Sequence, residues 1–245
     1  MLLLIDAGNT RVKWALAADD APPGRWLETG AVVQADLTQL AASWQHRAIT
    51  RALVSNVAGA AVRARLQQML PATPIEWFAS VDQLAGVRNG YRNRSQLGCD
   101  RFAAAIGARA LEPGKALVVA TCGTATTIDA LSADGVFLGG MILPGLGLMA
   151  ASLARNTAQL PHIAPGGSEA AGFADNTDDA ILSGCLSAQA GAIERAIGLL
   201  GADLCLLSGG AAPYIAPLLS ARSYTARMVD NIVLVGLHAA ATSRN

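Results

Sequence analysis

The chain has 245 residues, of which 52% are hydrophobic and 15% charged, and its 18 basic residues balance 18 acidic ones. This composition excludes disorder, which needs low hydrophobicity and unbalanced charge. A net charge of zero also provides no overall field to attract nucleic acid or an anionic membrane. No apolar run reaches the roughly 20 residues that a membrane-spanning helix needs. We therefore expect a cytoplasmic globular protein with one large or two small domains.

The predicted elements begin with two short strands, at 2–6 and 12–18, around a polar turn that contains glycine. Apolar periodicity then predicts an alternation of strands and helices: strands near 30–34, 49–57 and 75–78, with helices at 36–44 and 59–70. The later elements are a helix at 100–111, strands at 116–121, 124–130 and 136–142, a glycine- and proline-rich connection at 143–175, and helices at 177–200 and 229–242 around a strand at 203–208.

A sequence pattern from the start of the chain recurs near its midpoint. L-L-L-I followed by D-A-G-N-T-R-V-K-W-A-L, ending at residue 16, resembles A-L-V-V-A followed by T-C-G-T-A-T-T-I-D-A-L, ending at residue 131. Gly8 and Gly123 occupy matching places, and a match at about half the chain length indicates a duplicated domain. We predict a hinge at 112–115 and two halves, residues 1–113 and 114–245.

The first turn carries groups that suit a nucleotide polyphosphate. Backbone N–H groups around Gly8 can point at a phosphate, and Asn9 and Thr10 can donate hydrogen bonds. Lys13 supplies a positive charge, and Asp6 can hold Mg²⁺ directly or through water. An ordinary hairpin with Asn-Thr turn chemistry would look the same in sequence.

The second turn, 123–127, offers hydroxyls and backbone N–H groups but no cation, and two such turns facing across a cleft would clamp a triphosphate. Neither turn is a P-loop.

At the start of the helix at 100–111, the Asp100 carboxylate can accept a proton from an attacking hydroxyl, and Arg101 can bind a carboxylate. Spacing alone favours a helix-capping Asp100 beside a surface Arg101.

The cysteines and histidines give no sign of a metal or nucleophilic site. The four cysteines are scattered without a C-x-x-C pair, and the three histidines are isolated. We predict buried free thiols in place of zinc ligands or disulfides.

Several motifs together resemble the type III pantothenate kinases of the acetate kinase/sugar kinase/Hsp70/actin superfamily. They occur in the order D-A-G-N-T-R-V-K at 6–13, Y-R-N-R-S-Q-L-G-C-D-R at 91–101, C-G-T-A-T-T-I-D at 122–129, G-G-M-I-L-P-G at 139–145, N-T-D-D-A-I-L-S-G at 176–184 and S-G-G at 208–210. The resemblance implies an α/β fold of two duplicated ribonuclease H-like (actin-like ATPase) domains with a nucleotide cleft between them. It also implies a homodimer that transfers the γ-phosphate of ATP to the primary hydroxyl of pantothenate, the first step of coenzyme A synthesis.

The resemblance also implies roles for individual residues. Asp100 is the catalytic base, and Asp6 holds Mg²⁺, through water, with ATP. The ATP-binding residues are implied to be Asp6, Ala7, Gly8, Asn9, Thr10, Arg11, Val12, Lys13 and Thr124. The pantothenate-binding residues are implied to be Tyr91, Gly98, Cys99, Asp100, Arg101 and Thr177, the last from across the dimer interface.

One position departs from the family pattern. Relatives carry an Asp two residues before the second Gly-Thr, as a ligand for a monovalent cation such as K⁺ or NH₄⁺, where this chain has Thr121. A hydroxyl ligates such a cation more weakly than a carboxylate does, so dependence on K⁺ is left open.

Two other functions are compatible with the motifs. A kinase-like accessory factor in transcription is one, although neutral charge argues against direct DNA contact. A kinase for another small molecule is the other, although 245 residues leave little room for the larger substrate domain of a sugar kinase.

Overall fold

Strands and helices alternate in the computed structural model, which describes residues 1–44, 47–157, 160–161, 172–221 and 224–243. The strands are β1 (Leu2–Ala7), β2 (Arg11–Ala17), β3 (Glu28–Val33), β4 (Arg51–Asn56), β5 (Ile75–Trp77), β6 (Gln83–Leu84), β7 (Val87–Asn89), β8 (Leu117–Cys122), β9 (Ala125–Leu131), β10 (Val136–Pro144), β11 (Leu204–Ser208) and β12 (Ala226–Met228). The helices are α1 (Leu40–Trp44), α2 (Ala60–Met69), α3 (Cys99–Leu111), α4 (Leu146–Asn156), α5 (Thr177–Leu200), α6 (Ala212–Ser220) and α7 (Ile232–Thr242).

The chain divides into two compact units. The first consists of Met1–Gly114, Gly135–Phe137 and Asn231–Asn245, and the second of Lys115–Asp134 and Leu138–Asp230. The sequence predicts a boundary after residue 113, which lies one residue from the observed division. It also predicts that everything up to residue 245 belongs to the second half, whereas the structure returns the C-terminal segment to the first unit because α7 packs against α3.

The first unit is built on a five-stranded mixed sheet in the order β3-β2-β1-β4-β5. β1, β2 and β3 form an antiparallel meander, and β4 and β5 add in parallel on the other side of β1. Next to this sheet in sequence, β6 and β7 form a small antiparallel pair. Two residues of β10, Val136 and Phe137, pair in parallel with β7 and belong to this unit.

The two faces of the β1 strand are covered by different helices, because side chains alternate along a strand. Leu3 and Ile5 point into a buried cluster that contains Trp14 and residues of α1 and α2. The alternate positions of β1, including Asp6, therefore lie on the other face of the sheet. The helices α3 and α7 contact strands of this sheet, and their apolar residues are buried.

Glycine lets α3 and α7 approach closely. A Cβ atom on Gly236 of α7 would lie 1.7 Å from the carbonyl oxygen of Ala103, and one on Gly107 of α3 would lie 2.5 Å from the carbonyl oxygen of Ile232. Because a side chain at either position would meet backbone atoms, glycine is required at this helix–helix contact. The contact anchors the C-terminal helix to the first unit.

The second unit repeats the sheet of the first. Its strands follow the order β10-β9-β8-β11-β12, in which β8 and β9 are antiparallel and β8, β11 and β12 are parallel. This is the same 3-2-1-4-5 order as in the first unit, and the antiparallel β8–β9 pair and the parallel β8–β11–β12 pairs correspond to β1–β2 and to β1–β4–β5. The predicted duplication is therefore confirmed, and each unit has the ribonuclease H-like arrangement.

The helices of the second unit differ from prediction in two segments. The sequence predicts an irregular connection over 143–175, but α4 forms within it because Leu146, Ala150 and Ala151 share a buried face. Two glycines at its start hid this periodicity. The helix α6, which contains Pro213 in its first turn and Pro217 in its interior, and the three-residue strand β12 were also not predicted.

Two further predictions concern free cysteine thiols and membrane-spanning helices. All four cysteines are free thiols, as predicted, and Cys122, Cys185 and Cys205 are buried. In the part of the chain that the structure describes, no helix is both long enough and apolar enough to cross a membrane.

Candidate active site

The turn between β1 and β2 is a short loop whose tip is exposed. Asn9, Thr10 and Arg11 are exposed, and the N–H of Gly8 donates to the carbonyl oxygen of Arg11 at 3.1 Å. Ala7 and Val12 pair across the two strands and are fully buried, so their side chains serve the core. Any contact that these two residues make with a nucleotide must therefore come from their backbone.

Asp6 lies opposite Lys13 on β2, and next to Ser55 on β4. Burial raises the pKa of the Asp6 carboxyl from 3.8 to about 6, an effect that Lys13 opposes and the negative charge of Asp100 reinforces. The two carboxyl groups are thus close enough to interact, although 94 residues separate them in sequence. A carboxylate that is desolvated and close to a second acid is typical of a functional site.

The raised pKa of Asp6 predicts a pH dependence of activity. On the expectation that Asp6 holds Mg²⁺, kcat/KM for MgATP should fall by about tenfold per pH unit below pH 6, because protonation removes the negative charge of the carboxylate. The measurement is kcat/KM between pH 5 and 8 at saturating acceptor. A profile that stays flat down to pH 5 would show that ionised Asp6 is not needed.

The free energy of unfolding provides an independent test of the raised pKa of Asp6. The folded-state pKa lies above the unfolded value, so the contribution of Asp6 to stability is fully present below pH 3.8 and is lost as the pH rises through about 6. The variant Asp6→Asn should therefore lose activity yet unfold with a free energy higher by on the order of 1–3 kcal/mol at pH 7.5, since a pKa unit corresponds to about 1.4 kcal/mol. Chemical denaturation at pH 7.5 and pH 4 measures this difference, which should shrink at the lower pH.

Asp100 lies in the first turn of α3, where its carboxylate accepts the backbone N–H of Arg101 at 2.8 Å. Negative charge is favourable at this end of a helix. A Cβ atom on Gly98 would lie 2.7 Å from Asp100 Oδ1, so a side chain at 98 would displace the carboxylate. The Ser80 hydroxyl donates to the carbonyl oxygen of Leu97 at 2.8 Å and so holds the turn before the helix.

A buried polar contact joins the sheet to the start of α3. Ser55 is fully buried, and its Oγ lies 3.4 Å from the Sγ of Cys99. Because Ser55 is the neighbour of Asp6 and Cys99 precedes Asp100, this contact connects the sheet that carries Asp6 with the helix that carries Asp100. Cys99 is thus placed beside the candidate base.

Arg101 and Tyr91 form a pair beside Asp100. Arg101 is 7% exposed, and its Nη1 donates to the Tyr91 hydroxyl at 2.7 Å. The guanidinium carbon lies 5.6 Å from the centre of the Tyr91 ring. The alternative of a surface arginine beside a capping aspartate is therefore wrong, since Arg101 is held within the first unit by the packing of α3.

The corresponding turn of the second unit is held by a neighbouring segment. Thr124 is exposed, and its carbonyl oxygen accepts the N–H of Gly145 at 2.9 Å. A Cβ atom on Gly145 would lie 2.0 Å from the carbonyl oxygen of Gly123, so only glycine fits here. The buried Gln189 donates to the carbonyl oxygen of Pro144 at 2.7 Å and fixes the same segment. These contacts hold the backbone of the turn that carries Thr124.

Thr121 stands in a row of hydroxyl residues. On β8 it pairs with Thr127 of β9 on one side and with Ser208 of β11 on the other. Residues in register on neighbouring strands project from the same face of a sheet. Neutral oxygens therefore occupy the position where the family pattern has a carboxylate.

Thr177 is exposed at the first position of α5, immediately after Asn176, whose side chain caps the helix by accepting the N–H of Asp179 at 3.0 Å.

Within the described residues, no three His, Cys, Asp or Glu side chains gather into a metal site. Asp6 nevertheless fits Mg²⁺ that arrives with ATP, because Mg²⁺ commonly takes one or two protein carboxylates together with substrate phosphates and water.

Sequence reasoning missed three residues that support these groups: Ser55, Ser80 and Phe137. Ser55 follows a run of apolar strand residues and looks like any strand serine. Phe137 contacts Arg101 from a strand 36 residues later, and its ring lies 5.6 Å from the guanidinium carbon. Nothing in local spacing could have found either residue, because only tertiary contacts bring them to this place.

Two copies of the ribonuclease H-like sheet, each with a small polar turn between its first two strands, define the class of the protein, which has a duplicated actin-like fold. A glucokinase of the ROK family from Streptomyces griseus shares the fold with a TM-score of 0.52 at 13% identity, over 99% of each chain. A Campylobacter jejuni protein, provisionally described as a conserved Baf family transcriptional activator, has a TM-score of 0.60 at 19% identity, over 96% of this chain and 94% of that one.

Closer similarity identifies the family. A family model described as type III pantothenate kinase matches residues 2–198. A type III pantothenate kinase of Janthinobacterium sp. (strain Marseille) is 57% identical to the chain, over 98% of this chain and 97% of the relative. The chain belongs to the type III pantothenate kinase family.

Proposed function

We propose that the chain transfers the γ-phosphate of ATP to the primary hydroxyl of pantothenate, the first step of coenzyme A synthesis. Membership of the family supports the reaction and the acceptor. The observation that carries the proposal at the level of residues is the electrostatic proximity of Asp6 and Asp100, with Arg101 and Tyr91 beside them. In this proposal, Asp6 adjoins the phosphate-binding turn, and Asp100 lies at the site that binds the acceptor.

The acceptor hydroxyl needs a base and a fixed position, and no covalent enzyme intermediate is required. Asp100 accepts the hydroxyl proton as that oxygen attacks the γ-phosphorus, and the bond from phosphorus to the bridging oxygen breaks to release ADP. Lys13 and the N–H groups of the first turn neutralise phosphate charge. Mg²⁺ held by Asp6 supplies further charge stabilisation when it is bound with ATP. Thr124 is assigned a second phosphate contact.

The pantothenate carboxylate requires a cationic partner at a distance from the reacting hydroxyl. Arg101 can bind it with two parallel hydrogen bonds, and the Tyr91 hydroxyl orients the guanidinium. Gly98 and Cys99 lie alongside, and we assign Thr177 a further contact from the partner subunit of a homodimer. Most of the rate enhancement then comes from positioning and charge stabilisation.

A substrate panel tests the reaction. Purified protein with MgATP should form ADP when pantothenate is present and stay near background with hexose, N-acetylmannosamine or acetate. Direct detection of phosphopantothenate by mass spectrometry excludes a contaminating ATPase. Turnover of a hexose without pantothenate turnover would assign another small-molecule kinase, and no turnover with any acceptor would favour a non-catalytic, regulatory role.

The row of hydroxyls at Thr121 bears on the monovalent cation. We propose that K⁺ or NH₄⁺ binds there weakly, because the oxygens are neutral. The variant Thr121→Asp restores a carboxylate and should reach half-maximal activity at a lower K⁺ concentration than the parent. Titrating K⁺ against both proteins in a sodium- and ammonium-free buffer measures the difference. Equal K⁺ responses would place the cation elsewhere.

We also propose a cytoplasmic homodimer. An apolar groove of about 460 Å³ in the second unit is lined by residues of α4 and α5, among them Met149, Leu153 and Ile181, and begins at Thr177. A second copy of the chain is the occupant that would bring Thr177 to an acceptor. Light scattering should then give twice the chain mass of 25.0 kDa, and Leu153→Glu, at an exposed residue of the groove, should give monomers with a raised KM for pantothenate.

A further inference from the structure

A second aromatic residue, Phe137, lies beside Arg101 in addition to Tyr91. Phe137 is fully buried, and the centre of its ring lies 5.6 Å from the guanidinium carbon of Arg101. The Phe137 and Tyr91 rings meet edge to face with centroids 5.6 Å apart. The guanidinium therefore lies near two aromatic rings at equal distances, and it donates a hydrogen bond to one of them.

The backbone fixes Phe137 in this position. It pairs with Asn89 of β7, and its carbonyl oxygen accepts the N–H of Gly90 at 3.0 Å. A Cβ atom on Gly90 would lie 2.4 Å from that carbonyl oxygen, so the two segments are in direct contact. Strand pairing therefore fixes the backbone position from which the Phe137 ring reaches Arg101.

The same strand also fixes Tyr91. The Asn89 side chain is 1% exposed, accepts the N–H of Tyr91 at 3.0 Å and donates to the carbonyl oxygen of Arg94 at 3.1 Å. One short stretch of β7 therefore holds both the Tyr91 backbone and, through strand pairing, the Phe137 ring. The positions of both rings beside Arg101 therefore depend on the strand β7.

We propose that Phe137 is a positioning residue for carboxylate recognition, which orients the Arg101 guanidinium together with Tyr91. This inference rests on the proposed function, because it takes the acceptor carboxylate as the ligand of Arg101. Aromatic rings attract a guanidinium and restrict its planes, and this attraction is stronger away from water. A guanidinium that is already oriented loses less side-chain entropy when it forms two hydrogen bonds to a carboxylate.

The consequence is selectivity for an acidic acceptor. An acceptor in which a neutral alcohol replaces the carboxylate gains nothing from an oriented guanidinium. Phe137 should therefore favour pantothenate over its alcohol analogue, pantothenol, while having no part in ATP binding or in proton transfer. A residue that serves only folding would affect both acceptors equally.

The test compares Phe137→Leu and Phe137→Met with the parent and with Phe137→Tyr, which keeps the ring. For the first two variants we expect KM for pantothenate to rise about tenfold, with kcat and KM for MgATP within about twofold of the parent. Their kcat/KM for pantothenol should change by less than about twofold. Phe137→Tyr should remain close to the parent in selectivity.

The outcomes distinguish a failure of the proposed function from a failure of the positioning role of Phe137. If the parent does not phosphorylate pantothenate, the proposed function fails. If the parent does so and Phe137→Leu and Phe137→Met keep its preference for pantothenate over pantothenol, the positioning role is overturned while the function stands. Equal losses with both acceptors in the folded variants, as judged by thermal unfolding, also overturn it. If Phe137→Leu does not fold, Phe137→Met, which is closer in length and more flexible, carries the same comparison.

Discussion

Replacing Asp100 by asparagine is expected to lower kcat for pantothenate phosphorylation by about 10²–10⁴-fold, the range that general acid–base catalysis contributes. The amide oxygen keeps the shape of the side chain and can still accept the N–H of Arg101, so the start of α3 should be preserved. What is lost is the ability to accept the proton of the attacking hydroxyl. Steady-state kinetics with saturating MgATP measure the loss.

Binding of a non-hydrolysable ATP analogue, measured by calorimetry, separates catalysis from folding, and its Kd should stay within about threefold of the parent. Asp36→Asn provides a matched control, because Asp36 is an exposed acid in the first turn of the 3₁₀ helix Gln34–Gln39 of the same unit. It should keep the activity of the parent. Full activity of Asp100→Asn would remove Asp100 from the role of base.

Replacing Gly236 by alanine is expected to lower the free energy of unfolding by about 3 kcal/mol, at or beyond the upper end of usual overpacking costs. A methyl group there would lie 1.7 Å from the carbonyl oxygen of Ala103, and backbone can yield only by moving α7 away from α3. That movement would separate buried residues along both helices. Denaturant unfolding followed by circular dichroism measures the change.

Gly198 gives the opposite expectation for the same substitution. It lies exposed within α5, and a Cβ atom would meet nothing within 4 Å. Gly198→Ala should therefore raise the free energy of unfolding by about 0.5–1 kcal/mol, the difference in helix propensity. If both variants behaved alike, the close contact between α3 and α7 would not be a determinant of stability.

Most secondary structure could be predicted from sequence because its signals are local. The alternation of apolar residues and the polar turns located β1, β2, β8 and β9, and the repeated pattern predicted two copies of one fold. Prediction was wrong at α4, where glycines interrupt the periodicity. It also could not assign α7 to the first unit, because the glycine contact with α3 involves residues far apart in the chain.

The candidate site was only partly predictable. Residues within one motif, such as Asp6 and Lys13, follow from the register of a hairpin. Spacing alone favoured a surface position for Arg101, whereas α3 packing buries it. The support from Ser55 and Phe137 has no sequence signal, since each reaches its partner from a different strand.

The order of the residues defines the chemical groups and the folding pattern: a neutral chain, two matching turns, and an acid beside an arginine at a helix start. Which of these groups lie together depends on the packing of strands and helices. Asp6 lies on the strand face opposite the Leu3 and Ile5 cluster, and α3 brings Asp100 into its electrostatic range. The physical reason is that strand alternation and helix packing set side-chain direction, whereas proximity across 94 residues depends on the packing of the whole unit.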